Sequence, residues 1–149
     1  MINLLVLKEN TDYEKRVALV PDEIKKYIDI GFKVTIEKDA GLQSGFSDED
    51  YKKENANISQ NIKKTMKETD IIIKVQKPEN NIISEMKVNS ILIGLLSPKK
   101  GSSENNLYNK KKISAFALEN IPRITRAQDK DVLSSQSNLA GYKAVLDAA

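Results

Sequence analysis

Neither cysteine nor histidine occurs in the 149 residues. Without cysteine there is no disulfide and no thiol nucleophile, and a disulfide-free chain suits a reducing compartment. Without histidine the commonest proton shuttle and metal ligand near neutral pH is missing, so no metal centre is expected. Glycine is sparse: the six are Gly31, Gly41, Gly45, Gly94, Gly101 and Gly141, and no two lie two residues apart. A phosphate cradle of the G-x-G-x-x-G type is therefore absent, and with it the standard means of holding a pyrophosphate. No apolar run approaches the ~20 residues of a membrane span. The run from Ile2 to Leu7 is too short and wrongly flanked for a signal peptide, so a soluble chain is expected. An excess of one charge is also lacking, since 24 basic and 21 acidic residues leave a net +3. The tightest basic cluster, Lys110 to Lys112, reads as a solvated helix end, and nucleic acid is not an expected partner.

What is present describes one globular domain, with 40% apolar and 30% charged residues. Ile2 to Leu7 is a continuous apolar run of the kind buried on both faces of a parallel sheet. After a loop with Lys8, Glu9, Asn10 and Arg16, Pro21 takes a first helical position, Asp22 and Glu23 fill the first turn, and Gly31 closes the helix. Lys33 to Lys38 alternates as a second strand, Ala40-Gly41 turns it, and Ser47 opens a short helix. Asn57 to Ser59 is a short strand, and a helix around Ile62 and Met66 leads to strand Ile71 to Val75, stopped by Pro78. A short helix near Ile82 to Met86, strand Ser90 to Leu96, helix Leu107 to Lys111 and strand Ile113 to Leu118 follow. Alternating strands and helices predict right-handed βαβ units. The expected fold class is α/β, doubly wound, with a mostly parallel sheet and helices on both faces, Rossmann- or flavodoxin-like.

The stretch least like a generic core is Ile121 to Tyr142, IPRITRAQDKDVLSSQSNLAGY. Pro122 pushes the residue before it towards extended geometry, so Ile121 is expected to end a strand and Arg123 to sit just past it, where open α/β sheets bind ligands. Asp131 is placed to cap a helix through Leu133, Leu139, Tyr142, Val145 and Leu146, with Ser134 one turn in. The start of such a helix offers backbone N–H groups and a positive dipole end. The plainer reading is a polar loop followed by an ordinary amphipathic helix. The terminal Asp147-Ala148-Ala149 carries no glycine, proline or basic C-cap, which reads equally as an element cut short or as an alanine-rich natural terminus.

Three stretches carry a resemblance: KENTDYEKRVALVP near the start, IIIKVQKP in the middle, and PRITRAQ followed by DVLSSQSNLAGY. Together they resemble the shared N-terminal family of alanine dehydrogenases and proton-translocating NAD(P) transhydrogenases, and the last points to the transhydrogenase branch. The resemblance covers nearly the whole chain. It implies that residues 1–149 are the N-terminal part of a longer NAD(H)-binding region, whose glycine-rich Rossmann domain follows and shares the coenzyme cleft. It implies that Arg123, Gln128, Asp131 and Ser134 surround the dihydronicotinamide of NADH and serve as catalytic and cofactor-binding residues. Hydride transfer asks for orientation more than proton movement, which a site without histidine can provide. An Arg123–Asp131 pair would hold the guanidinium near the ring while cancelling charge. The implied partners are the following Rossmann domain, an NADP(H)-binding beta subunit, a membrane domain and a second copy of the chain, on the cytoplasmic side of a membrane-associated complex.

The competing enzyme reading is an alanine dehydrogenase-like oxidoreductase, and the competing non-enzyme reading is an orphan binding module. That dehydrogenase branch uses an arginine, a lysine and a histidine in this domain. Arg16 matches the arginine, but Gln76 falls on the lysine position and Ser97 on the histidine position, and neither can act as base or acid near neutral pH. In a regular strand Lys74 shares a face with Gln76, and Lys77 lies opposite. Lys74 replaces the lost amine only if the register differs. For Arg16 a structural role is the expectation, and Glu119 is expected to cap or to pair with Arg123 or Arg126 rather than to act in catalysis.

Overall fold

The computed structural model describes residues 1–10 and 13–149, with Asp129 described by its backbone alone. Thr11 and Asp12 of the KENTDYEKRVALVP stretch lie outside the described residues.

Six strands, β1 (Ile2–Val6), β2 (Phe32–Glu37), β3 (Asn57–Ser59), β4 (Ile71–Gln76), β5 (Ile91–Leu95) and β6 (Ser114–Ala117), form one sheet in the order β3-β2-β1-β4-β5-β6. Every pairing is parallel. The helices are α1 (Pro21–Asp29), α2 (Asp48–Lys53), α3 (Ile62–Glu68), α4 (Asn80–Glu85), α5 (Ser103–Lys111) and α6 (Val132–Ala148). The first strand shows why the sheet is doubly wound. Leu4 and Val6 pack with Ile24 of α1 and Tyr51 of α2, while Leu5 and Leu7 pack with Met66 of α3, Ile83 of α4 and Tyr108 of α5. Successive side chains of a strand point to opposite faces, so an unbroken apolar run supplies both cores.

Local signals set the element ends as the sequence implies. Pro21 stands at the start of α1, and Gly31, with φ 96°, closes it through its N–H to the Ile28 carbonyl. Ser47 caps α2 with a reciprocal pair, its hydroxyl accepting the Asp50 N–H and its own N–H donating to the Asp50 carboxylate. Lys112 ends α5 in the left-handed conformation.

Two expectations are corrected. β6 ends at Ala117 and a 3-10 turn, Leu118–Asn120, precedes Ile121, so Ile121 does not end a strand. The cause is Glu119, which turns inward: its carboxylate accepts the backbone N–H groups of Leu96 and Ser97 and so clamps the end of β5, instead of meeting Arg123 or Arg126. The second correction concerns α6. It forms where expected, but Leu139, Tyr142, Val145 and Leu146 are all more than half exposed. Its apolar side chains therefore cover no part of this core.

Candidate functional site

In a sheet of this order the chain leaves β1 in one direction and β4 in the other, and the crevice between their carboxyl ends is the natural ligand position. The backbone at that crevice is irregular. Ile73 pairs with Ile93 and Gln76 with Leu95, so Lys74 and Val75 together oppose the single residue Gly94. This bulge withdraws the Val75 and Gln76 N–H groups from the ladder. Gly94 permits it, because any side chain there would run into the Lys74 carbonyl.

Glu9, in the loop after β1, occupies the crevice and satisfies the bulge. Its carboxylate accepts Lys74 Nζ at 2.6 Å, Val75 N at 2.7 Å and Gln76 N at 3.2 Å. Both side chains of the Glu9–Lys74 pair are nearly dry, 4% and 5% exposed. A second carboxylate from the same loop, Glu14, accepts Arg16 N at 3.0 Å, Arg16 Nε at 2.8 Å, Arg16 Nη2 at 2.7 Å and Gln76 Nε2 at 2.7 Å. The Arg16 hydrogen bonds hold the Glu14 carboxyl far down its range, to about 2, and the same contact raises the Arg16 guanidinium. Arg16 Nη1 reaches across to Gln136 Oε1 of α6 at 3.2 Å. Beneath Arg16 and Gln136 lies a cavity of about 370 Å³, walled by Val17, Lys74, Leu95, Leu118 and Leu133.

The bulge also corrects the strand periodicity. Lys74 and Val75 border the cavity under Arg16, while Gln76 and Lys77 border another, of about 440 Å³, with Ser97. Lys74 is bound to Glu9, Gln76 to Glu14 and Lys77 to Glu104, so no free amine is presented among them.

The four residues singled out in the central segment are brought together at the start of α6. Arg123, Gln128, Asp131 and Ser134, with Ile124 and Thr125, line a cavity of about 290 Å³. A 3-10 segment, Thr125–Lys130, delivers Gln128 to its rim, and Asp131 then caps α6. Asp131 Oδ1 accepts the N–H groups of Leu133 and Ser134, both at 3.1 Å, and Oδ2 accepts the Ser134 hydroxyl at 2.6 Å. These contacts, the Ser134 hydroxyl foremost, hold the Asp131 carboxyl below its ordinary value, with Arg123 adding to the effect. Arg123 is the loose member: Nε stands 3.9 Å from Asp131 Oδ2 and the side chain is 72% exposed. With its proton given to Asp131, Ser134 offers lone pairs to an incoming donor. Among the described residues the Gln128 amide has no side-chain partner, which leaves both its donor and its acceptor for a ligand.

Glu9, Glu14 and Gln136 were not singled out from the sequence. The usable signal was position: acids in the loop after the first strand of such a sheet stand over the crevice, facing any cation at the end of β4. Gln136 carries no comparable signal, since nothing local connects it to Arg16, 120 residues away.

Residues 5–140 match the family described as alanine dehydrogenase/PNT, N-terminal domain. The chain is 41% identical over 152 residues to the first polypeptide of the NAD(P) transhydrogenase alpha subunit of Rickettsia prowazekii, an alignment covering 99% of this chain and 40% of that protein. The crystal structure of transhydrogenase from Sinorhizobium meliloti superposes with a TM-score of 0.91 at 38% identity, over 99% of this chain and 44% of that one. An L-alanine dehydrogenase structure superposes with a TM-score of 0.74 at 25% identity, over 80% of this chain and 33% of that one. The chain thus spans less than half the length of these relatives.

Proposed function

The chain belongs to the alanine dehydrogenase/PNT N-terminal domain family, and on that premise we propose that it forms one wall of the NAD(H) cleft of an NAD(P) transhydrogenase. The observation that carries the proposal is the single small cavity shared by Arg123, Gln128, Asp131 and Ser134. At about 290 Å³ it lies at the foot of the roughly 300–1,000 Å³ range of whole-ligand pockets, so it suits one end of a dinucleotide. A nicotinamide carboxamide asks for an acceptor and a donor. Ser134 supplies the first and Gln128 both. The pyrophosphate end does not fit this chain, which has no spaced glycines, and its cradle belongs to a following glycine-rich domain.

The nicotinamide, when bound, supplies the hydride that passes between NAD(H) and NADP(H). The work of these residues is orientation. Gln128 and Ser134 fix the plane of the ring, Asp131 holds the Ser134 hydroxyl and the helix start in register, and Arg123 at the rim balances the Asp131 charge. The whole enzyme couples this transfer to proton translocation through a membrane domain and an NADP(H)-binding partner subunit, and it works as a homodimer. Alanine oxidation is disfavoured because Gln76 and Ser97 replace the proton-moving pair and Lys74 is held by Glu9.

Calorimetric titration of NADH into the full-length polypeptide bearing this domain tests the reading, with alanine and NADPH alongside. Gln128→Ala should weaken NADH binding roughly tenfold, the value of one ligand hydrogen bond of ~1.4 kcal/mol, and Asp131→Ala should do the same or more. Binding indifferent to both changes, or alanine-dependent reduction of NAD, would overturn it. Residues 1–149 alone should bind NADH weakly or not at all, and submicromolar affinity would contradict the missing phosphate cradle.

A further inference from the structure

Helix α6 carries Ser134 and is capped by Asp131, yet little holds it to the domain. It has 17 residues, about 25 Å at 1.5 Å per residue. Only Val132 and Leu133 are half-buried, and every residue from Ser134 onward is exposed. Below its first turns is the cavity of about 370 Å³, so close packing does not dictate its tilt. Beyond the cap, one side-chain hydrogen bond joins the helix to the rest of the domain among the described residues, from Arg16 Nη1 to Gln136 Oε1.

We propose that Arg16 is a positioning residue: locked by Glu14, its guanidinium sets through Gln136 the direction in which α6 leaves the domain, and thereby the placement of Ser134. The functional part of this rests on the nicotinamide reading above. Three of the Arg16 donors, N, Nε and Nη2, are taken by Glu14, itself only 6% exposed and tied by Gln76 to the bulged end of β4. The guanidinium is therefore fixed to the sheet before it meets the helix. Its Nε–Nη2 edge is occupied, so it has no open fork for a bidentate grip on a carboxylate, and the Nη1 that remains is aimed at α6. Gln136 follows Ser134 by two residues, about 200° around the helix. A pull at Gln136 thus acts on the side away from Ser134 and presents Ser134 to the cavity it shares with Gln128 and Arg123.

The absence of native cysteine makes a direct test simple. Spin labels at Lys25→Cys on α1 and Ala144→Cys on α6, both exposed positions, report the inter-label distance in the 149-residue chain. The parent should give one narrow distribution. Gln136→Leu and Arg16→Met should each broaden it or shift it by about 3 Å, the displacement of a ~10° tilt over the ~18 Å from the helix start to the label. Gln136→Glu, which keeps an acceptor for Arg16, should restore the parent distribution. Gln136 is exposed, so its variants keep the fold, which circular dichroism confirms alongside. Distributions unchanged in both Gln136→Leu and Arg16→Met, or no rescue by Gln136→Glu, would overturn the proposal. No coenzyme enters this measurement, so its failure is distinct from that of the NADH titration.

Discussion

Replacing Lys74 by methionine separates the buried reading of its ion pair from a surface reading. Lys74 Nζ and Glu9 Oε2 stand 2.6 Å apart with side chains 5% and 4% exposed, and the same carboxylate satisfies two N–H groups of the β4 bulge. Methionine fills most of the lysine volume, so the change removes the charge with little loss of packing. It strands a carboxylate in a dry crevice, and breaking a buried pair in this way costs about 3–5 kcal/mol. That is a large part of the ~5–15 kcal/mol by which such domains are stable. With a urea slope of about 2 kcal/mol per molar, the unfolding midpoint should fall by roughly 2 M. The double variant Lys74→Met with Glu9→Gln should recover part of the loss, since a neutral amide costs less to bury than an unpaired carboxylate and neighbouring groups couple by ~0.5–3 kcal/mol. Equilibrium urea unfolding of the four proteins of this cycle is the assay. A single-variant cost below about 1 kcal/mol, the range of solvated pairs, would refute the reasoning. It would also release Lys74 as a free amine at the crevice.

Acid should act through Glu14. Its folded value of about 2 lies below the ordinary 4.5, so its stabilisation is present above pH 4.5 and is lost as pH falls through about 2. Arg16, Gln76 and, at longer range, Glu9 are the groups around this contact. Other carboxyls titrate in the same window, so the difference between parent and Arg16→Met isolates it: the parent's excess stability, of order 1 kcal/mol after solvent screening, should shrink between pH 4.5 and 2, and an unchanged difference would show that Arg16 does not hold Glu14. Gly94→Ala should destabilise by about 2 kcal/mol and lower the melting temperature by roughly 6 °C, because its Cβ would collide with the Lys74 carbonyl at the bulge; an unaltered melting curve would deny that close approach. Tyr108→Phe should leave stability unchanged or raise it by up to ~1 kcal/mol, since the Tyr108 hydroxyl is buried without a hydrogen-bond partner among the described residues, and a loss above 1 kcal/mol would reveal a partner.

Much of the fold was legible because its signals are local. The apolar run in β1, Pro21 and Gly31 at the ends of α1, and the Ser47–Asp50 cap of α2 each act within a few residues. The Asp131 cap was legible for the same reason, as its partners are Leu133 and Ser134. The end of β6 was misplaced because what ends it is Glu119 reaching back to Leu96 and Ser97, a contact between neighbouring strands rather than neighbouring residues.

By itself, then, the sequence determined which segments are strands and helices, that the sheet is parallel and covered on both faces, and which four polar residues cluster before the last helix. It could do so because propensity, periodicity and capping are short-range. Only the tertiary structure decided that Lys74 is sealed by Glu9, that a bulge against Gly94 sends Lys74 and Gln76 into different cavities, and that Arg16 reaches Gln136 on a helix whose apolar side chains stand uncovered. Each depends on which strand ends the topology makes neighbours, and residues 65 or 120 positions apart leave no mark on one another's local pattern.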